Sequence, residues 1–373
     1  MNISTFFLQA NLQLNEFRPA LICFVTSFIV ALLAIPPIIH LINRYKLHDL
    51  PNSRKEHLVP VPTMGGIAII AGMVAALVLW FPFTNDIRQV CVFFSIMALF
   101  AMGIMDDLKD LSAKYKFVVQ VALAALIAIS GIRINSFDGL FGIQELSIGA
   151  QYTFTILAIV GITNAFNLID GIDGLCGGLA FMSLVTLGLF LTVSGDAATA
   201  LVAFSLAGAI FAFLYFNFNP ARIFMGDTGS LVIGFVIAVL CIQLMRVNIG
   251  VPSAVLPSAP MFVLGIVLIP VFDTLRVFAK RIWKGGSPFE ADKTHIHHLL
   301  TNQGFSHVFA IRVIYFVHAF VLIEVYLLQS LRQEMILLIL TLLMIAVTVF
   351  LKKIRSYIPG FDKNKALQQT EQS

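Results

Sequence analysis

Runs of about 20 apolar residues recur from one end of this chain to the other, each broken by a few polar or charged residues. A helix of about that length crosses the hydrocarbon core of a bilayer. Inside lipid every backbone polar group must be paired within the protein, so runs of this length can only be helices. Composition agrees, because 12% of the 373 residues are charged and 59% are hydrophobic, whereas a soluble domain carries roughly 25% charged residues. The expectation is an all-α integral membrane protein, a polytopic bundle of about 11 transmembrane helices. Their cores are expected at 19–42, 65–83, 89–105, 116–131, 152–169, 174–193, 197–216, 228–245, 258–279, 309–330 and 335–351. The polar head before the first run has a single Arg and no small-residue cleavage pattern, so it reads as part of a retained helix.

Charge then orients the bundle. With these helices, the loops 43–64, 106–115, 170–173, 217–227 and 280–308 and the tail from Lys352 fall on one side. That side holds Arg44, Lys46, Arg54, Lys55, Lys109, Lys114, Arg222, Lys280, Arg281, Lys284 and Lys293, while the other carries little beyond Arg18, Arg88, Arg133, Arg246 and Arg332. Short loops rich in Lys and Arg stay in the cytoplasm. The N-terminus is therefore expected outside and the C-terminus inside. Residues 1–351 read as one multi-helix transmembrane domain, with 280–308 as a histidine-rich cytoplasmic loop and 352–373 as a polar tail. Cys23, Cys91, Cys176 and Cys241 lie in or beside apolar runs without metal spacing, so they read as packing residues. The net charge of +4 bears on topology and implies no nucleic acid. No internal repeat supports an inverted-repeat transporter.

The 20 acidic residues carry the chemistry. Asp106, Asp107, Asp110, Asp170, Asp173, Asp227 and Asp273 all fall at or near helix ends on the basic side. Ionisable groups in apolar settings are costly, about 2.5–3.5 kcal/mol at a helix centre on insertion scales. Same-side clustering of so many calls for counter-charges or a cation. In Gly103–Asp110, Asp107 and Asp110 share a helical face, and adjacent carboxylates invite a hard cation such as Mg²⁺. In Asn164–Leu175, Asn164, Asn167 and Asp170 offer donors and acceptors for a nucleoside, and Asp173 shares a face with Asp170. The plain alternative there is a capped helix junction. In Asn217–Ser230, Asp227 is either a metal ligand or an N-cap, and Phe224 either stacks on a base or packs.

Two further stretches are basic. The loop Lys280–His307 contains His295-Ile296-His297-His298. Zinc would need four tetrahedral ligands, and neither a Cys partner nor an HExxH string is present. Phosphate contact, helped by Arg281, Lys284 and Lys293, fits better than zinc, with a solvated loop as the alternative. Pro51–His57 brings Arg54, Lys55 and His57 beside a helix opening with Gly65-Gly66, which suits an anionic headgroup or is an ordinary positive-inside loop.

Together these five stretches resemble the polyprenyl-phosphate N-acetylhexosamine-1-phosphate transferases (glycosyltransferase family 4). Within them the chain is similar to the bacterial undecaprenyl-phosphate N-acetylglucosamine-1-phosphate transferase branch. The interrupted string His295-Ile296-His297-His298 sets it apart from the phospho-N-acetylmuramoyl-pentapeptide branch, which shows an uninterrupted triplet. The resemblance implies an inner-membrane enzyme that transfers N-acetylglucosamine-1-phosphate, or a related N-acetylhexosamine-1-phosphate, from its UDP-sugar to undecaprenyl phosphate at its cytoplasmic face, releasing UMP and initiating a cell-surface polysaccharide. It implies Mg²⁺, with Mn²⁺ as a substitute, and admits a homodimer. Asp106 and Asp107 match the catalytic aspartate pair. Asp227, with Asp107, matches the metal site. Asn164, Asn167, Asp170 and Asp173 match the nucleotide pocket, and Asn217 and Phe224 match positions near the uracil. His295, His297 and His298 match the loop over the sugar diphosphate. Arg54, Lys55, His57 and Lys116 match phosphate contacts. The rivals are phospho-N-acetylmuramoyl-pentapeptide transfer and cation-coupled transport. A CDP-alcohol phosphotransferase would need a DGxxAR string, which Asp173–Gly178 is not.

Overall fold

Helix signals sit where the apolar runs begin and end. Ser112, Asp196 and Ser306 each turn a side-chain oxygen onto a backbone N–H of the following helix. Gly131, at φ +102°, ends one helix in the left-handed region. A computed structural model describes residues 3–45, 61–249, 255–285 and 294–357, with side chains from Phe17 onward. Its helices are α1 (Ile3–Tyr45), α2 (Gly66–Trp80), α3 (Ile87–Lys109), α4 (Ala113–Ser130), α5 (Ile148–Ile169), α6 (Leu175–Val193), α7 (Ala197–Asn217), α8 (Asp227–Asn248), α9 (Ala259–Trp283), α10 (Ile296–Thr301), α11 (His307–Leu327) and α12 (Gln333–Lys353). Among the described residues no strand forms, and Ser136 pairs with Glu145 in an isolated β-bridge.

Ten of these helices are long and apolar enough to cross a membrane. They lie where the sequence places ten of its eleven. The other expected helix, 65–83, is present as α2 but has 15 residues. Pro82 explains the shortening: it forces Phe81 into extended backbone, and the helix ends at Trp80. The first helix departs the other way. It starts at Ile3, ahead of its apolar portion Phe17–Tyr45. The six-residue α10 lies in the histidine-rich segment and is no span.

Helix α8 forms the centre of the bundle, with 83% of its apolar window buried, while α1, α3, α4, α11 and α12 form the rim at 22–33%. Rim side chains such as Leu33, Val118 and Leu338 are exposed and face lipid. Around the N-terminus of α8 the backbones come very close. A Cβ on Gly66 would lie 2.3 Å from the Gly229 nitrogen, and one on Gly103 would lie 2.5 Å from the Thr228 Cα. Small residues permit such approach between helices in lipid. They pin the start of α2 and the end of α3 against the first turn of α8, all at one membrane face. The four cysteines are free and buried, as packing residues would be.

Candidate active site

The end of α3 and the start of α8 are joined by Asp107. Its Oδ1 accepts the Asp227 N–H at 2.8 Å, and its Oδ2 accepts the Thr228 N–H at 3.1 Å and the Thr228 hydroxyl. A helix N-terminus leaves such N–H groups without intrahelical partners, and a carboxylate there is favoured by the dipole as well. Asp107 can approach because Gly226 precedes the helix. A Cβ at Gly226 would stand 2.5 Å from Asp107 Oδ2, and its φ of 72° with ψ of 171° belongs to a region essentially reserved for glycine. Gly226→Ala should therefore cost on the order of 1–3 kcal/mol of strain and loosen the Asp107 clamp. A thermal midpoint in detergent equal to wild type would refute this.

Asp227, so placed, meets two partners. Its Oδ2 accepts Lys116 Nζ at 2.9 Å and its Oδ1 accepts Asn167 Nδ2 at 3.0 Å. Lys116 also donates to Asp106 Oδ2 at 2.8 Å, so one ammonium bridges carboxylates from α3 and α8. The other Asp106 oxygen accepts the Leu111 N–H at 2.7 Å, which folds the α3–α4 turn back onto the site. Asn167 reaches Ser230 as well, at 2.9 Å. Asn164 donates to Gln120 and to the Val160 carbonyl, tying α5 to α4.

The turn 170–174 forms the next wall. Asp170 lines the cavity, and burial first, then the charges of Asp227, Asp107 and Asp173, push its carboxyl up to about 7. Among the described residues no hydrogen bond offsets this. Asp173 is buried and accepts the Ala221 N–H at 3.0 Å. Asn217 uses both ends of its amide on backbone, accepting from Gly174 at 2.8 Å and donating to the Ile223 carbonyl at 2.9 Å. It holds the 170–174 turn against the 218–226 loop, whose Phe224 lines the same cavity.

The histidine segment closes the site from above α9. His295 Nδ1 lies 2.9 Å from Asp273 Oδ2, while Asp273 Oδ1 accepts the Ile296 N–H at 2.9 Å and Arg276 at 2.6 Å. His297 stands over the 170–174 turn, where a Cβ on Gly171 would meet its ring at 3.1 Å. The rings of His297 and His298 lie 4.2 Å apart. All three histidines line the cavity with Asp107, Lys116, Asn164, Asn167, Asp170, Asp173, Asn217, Phe224 and Asp227. Asp106 sits behind Lys116. Arg54, Lys55 and His57 lie outside the described residues.

Sequence reading counts Asp273 among the acids and Arg281 among the phosphate contacts without giving either a partner; the structure makes Asp273 the anchor of His295 and places buried Arg281 on the cavity, and only Gln120, the partner of Asn164, goes unnamed. Asp273 carried a signal, being an acid inside an apolar run with Arg276 one turn on. Gln120 carried none.

The cavity holds about 1510 Å³ and continues from this polar end along an apolar groove between α5 and α9, lined by residues such as Leu157, Val160, Leu264 and Val271. It reaches Phe137 and Leu140 at the opposite membrane face.

Comparison with known proteins agrees with this layout. The family described as Glycosyl transferase family 4 matches residues 89–245. A Bacillus subtilis (strain 168) protein named a probable undecaprenyl-phosphate N-acetylglucosaminyl 1-phosphate transferase is 36% identical over 298 residues, covering 79% of this chain and 81% of that protein. The undecaprenyl-phosphate alpha-N-acetylglucosaminyl 1-phosphate transferase of Yersinia pestis is 35% identical over 270 residues, covering 70% of this chain and 71% of its own. Its Escherichia coli (strain K12) counterpart is 32% identical over 272 residues, covering 70% of each. The resemblance drawn from the five stretches holds, and the chain belongs to glycosyl transferase family 4.

Proposed function

We propose that this protein transfers N-acetylglucosamine-1-phosphate, or a related N-acetylhexosamine-1-phosphate, from its UDP-sugar to undecaprenyl phosphate. The products are the undecaprenyl-diphospho-sugar and UMP. The observation that carries this is the single cavity joining a carboxylate, lysine and histidine end to a long apolar groove. A water-soluble nucleotide and an isoprenoid phosphate need that combination. The relatives' names support undecaprenyl phosphate as acceptor and N-acetylglucosamine 1-phosphate as the group transferred. The polar end lies on the side with the basic loops, which supports a cytoplasmic site in an inner membrane. A cation-coupled transporter would place its acids near the midplane among broken helices; these sit at helix ends.

In this reading an oxygen of the lipid phosphate attacks the β-phosphorus of the UDP-sugar, and the bond from that phosphorus to the UMP oxygen breaks. The lipid phosphate is already an anion, so the protein's work is positioning and charge neutralisation. Lys116 draws the lipid phosphate to the mouth of the groove. Arg281, His297 and His298 supply donors to the diphosphate, His295 offers its free ring nitrogen to a sugar hydroxyl, and Asn164 and Asn167 face the nucleoside. Asp106 fixes the Lys116 ammonium.

The donor set suits a hard cation. Asp227 and Asp170 are oxygen donors on one cavity, with Asp106, Asp107 and Asp173 adding negative charge around a single lysine. Mg²⁺ needs only one or two carboxylates besides substrate oxygens and water, so the lack, among the described residues, of three clustered metal-type side chains does not count against it. Asp227 and Asp170 would hold Mg²⁺, or Mn²⁺ in its place. Asp107, whose two oxygens take three donors from the first turn of α8, would act by placing Asp227, whose oxygens each take one side-chain donor and keep a lone pair for the ion. Bound there, the ion would neutralise the diphosphate.

Asp170 makes this testable by linkage. A carboxyl near 7 is protonated below that pH and charged above it. A cation favours the charged form. Mg²⁺ binding should therefore release about half a proton at pH 7 and tighten as pH rises from 6 to 8. Titration calorimetry in two buffers of different ionisation enthalpy reads the proton. Release that persists unchanged in Asp170→Asn would rule out the assignment.

The direct assay uses purified protein in detergent with Mg²⁺, undecaprenyl phosphate and radiolabelled UDP-N-acetylglucosamine. UMP and a labelled lipid, both lost with EDTA, are expected. Product only with another UDP-N-acetylhexosamine would change the sugar, and no turnover with any UDP-sugar in folded protein would end the transferase reading.

A further inference from the structure

At the membrane face opposite the carboxylates, Arg133 follows α4 and Arg246 occupies the last turn of α8. Both are half-buried, and together with Ile134, Asn135, Met245 and Ile249 they line a second cavity of about 80 Å³. That is room for several waters or one phosphate group.

The charges around this cavity do not balance. Arg88, Arg133, Asp86 and Asp196 are the charged groups acting on Arg246. Asp86 is committed to Arg88, whose Nε and Nη2 both reach it within 3.1 Å. Asp196 caps α7 through the Thr199 N–H and accepts Gln243 at 2.8 Å. Arg246 donates to Gln243 Oε1 at 2.8 Å, and Arg133 donates to the Tyr152 hydroxyl at 2.9 Å. Both partners are neutral, and neither arginine forms an ion pair among the described residues. Each guanidinium offers five N–H donors, and the buried Arg133 Nε has no hydrogen-bond partner. Two cations held half-buried on one small cavity, with donors to spare, are matched by an anion with several acceptor oxygens. Planar guanidinium forks fit phosphate geometry.

The cavity wall narrows the choice of anion. Ile134 and Met245 also line the far end of the apolar groove. An anion seated on the arginines thus lies beside a hydrocarbon channel. We propose that Arg133 and Arg246 bind the phosphate headgroup of a membrane lipid at the face opposite the transfer site, with its hydrocarbon against the outer end of the groove. The shared chemistry is a phosphate anion; the groove assigns it to a lipid in preference to free phosphate. Neither residue touches the transfer machinery.

Native mass spectrometry of the full chain in an uncharged detergent tests this, with phosphatidic acid, phosphatidylcholine and inorganic phosphate as separate probes. One phosphatidic acid should be retained at this site, with phosphatidylcholine held far less well. Its affinity should fall about tenfold for each of Arg133→Gln and Arg246→Gln, while Arg→Lys at both, which keeps the charges and loses the planar forks, should recover only part of the loss. UDP-sugar binding should stay at the wild-type value in every variant. Unchanged lipid binding in the double Gln variant would overturn the proposal. Inorganic phosphate retained as tightly as the lipid would overturn it too, leaving a free-anion site. Should the double variant fail to fold, a headgroup-diazirine phosphatidic acid on wild-type protein decides. Labels on peptides carrying Asn135 or Ile249 support the site, and labels confined elsewhere refute it.

Discussion

Lys116→Met should lower kcat about a thousandfold, the upper range seen when one preorganised electrostatic group is removed from an active site. The ammonium stands 2.8 Å from Asp106 and 2.9 Å from Asp227. Methionine keeps the packing and leaves two carboxylates facing each other beside the Asp107 clamp. Removing one partner of a buried charge group costs on the order of 3–5 kcal/mol, discounted here because the Lys116 side chain is 23% exposed. The catalytic loss has a second source, since an anionic lipid phosphate would then approach uncompensated carboxylates. Lys116→Arg should restore only part of the rate, because a planar fork cannot occupy the point between two carboxylates that an ammonium fills. Steady-state UMP release at saturating substrates measures kcat, and a thermal midpoint separates folding from chemistry. A methionine variant that keeps wild-type turnover would remove Lys116 from the mechanism.

The position of Lys116 shows how far the sequence reaches. Apolar runs locate the helices because lipid imposes length and composition directly. They miss where a helix of mixed polarity begins, so α1 extends back to Ile3, and they overrun Pro82. Four of the five stretches that share a side in the sequence converge on one cavity, and the fifth, Pro51–His57, lies outside the described residues. Periodicity cannot say which carboxylate faces which. Lys116, read as one phosphate contact among four, proves to be the bridge. Its signal is legible afterwards: a cation in the first turn of an apolar helix opposes the helix dipole and needs an acid from elsewhere. Asp107 and Asn217 teach the converse. Both read from the sequence as ligand groups, yet Asp107 holds the start of α8, 120 residues on, and Asn217 holds Gly174, 43 residues back, through backbone N–H groups. Such pairings are set by tertiary approach, which spacing does not encode.

The histidine segment gives the second large effect. Asp273→Asn should reduce kcat about a hundredfold with little change in folding. Asp273 binds His295 Nδ1 with one oxygen and the Ile296 N–H and Arg276 with the other. A carboxylate only accepts, so His295 donates from Nδ1, and in the neutral ring the lone pair then sits on Nε2. Asparagine can keep its oxygen on Ile296 and Arg276, and it then offers an amine to Nδ1. The imidazole must accept there, and its proton moves to Nε2. The fold of α10 is preserved while the face that His295 presents to substrate is reversed from acceptor to donor. Asp273→Ala removes the Ile296 anchor as well and should make 294–308 more sensitive to protease, which Asp273→Asn should not. Histidine ¹⁵N NMR reads the tautomer and UMP release reads the rate. An asparagine variant with a reversed tautomer and undiminished kcat would show that His295 covers the site without acting on the substrate.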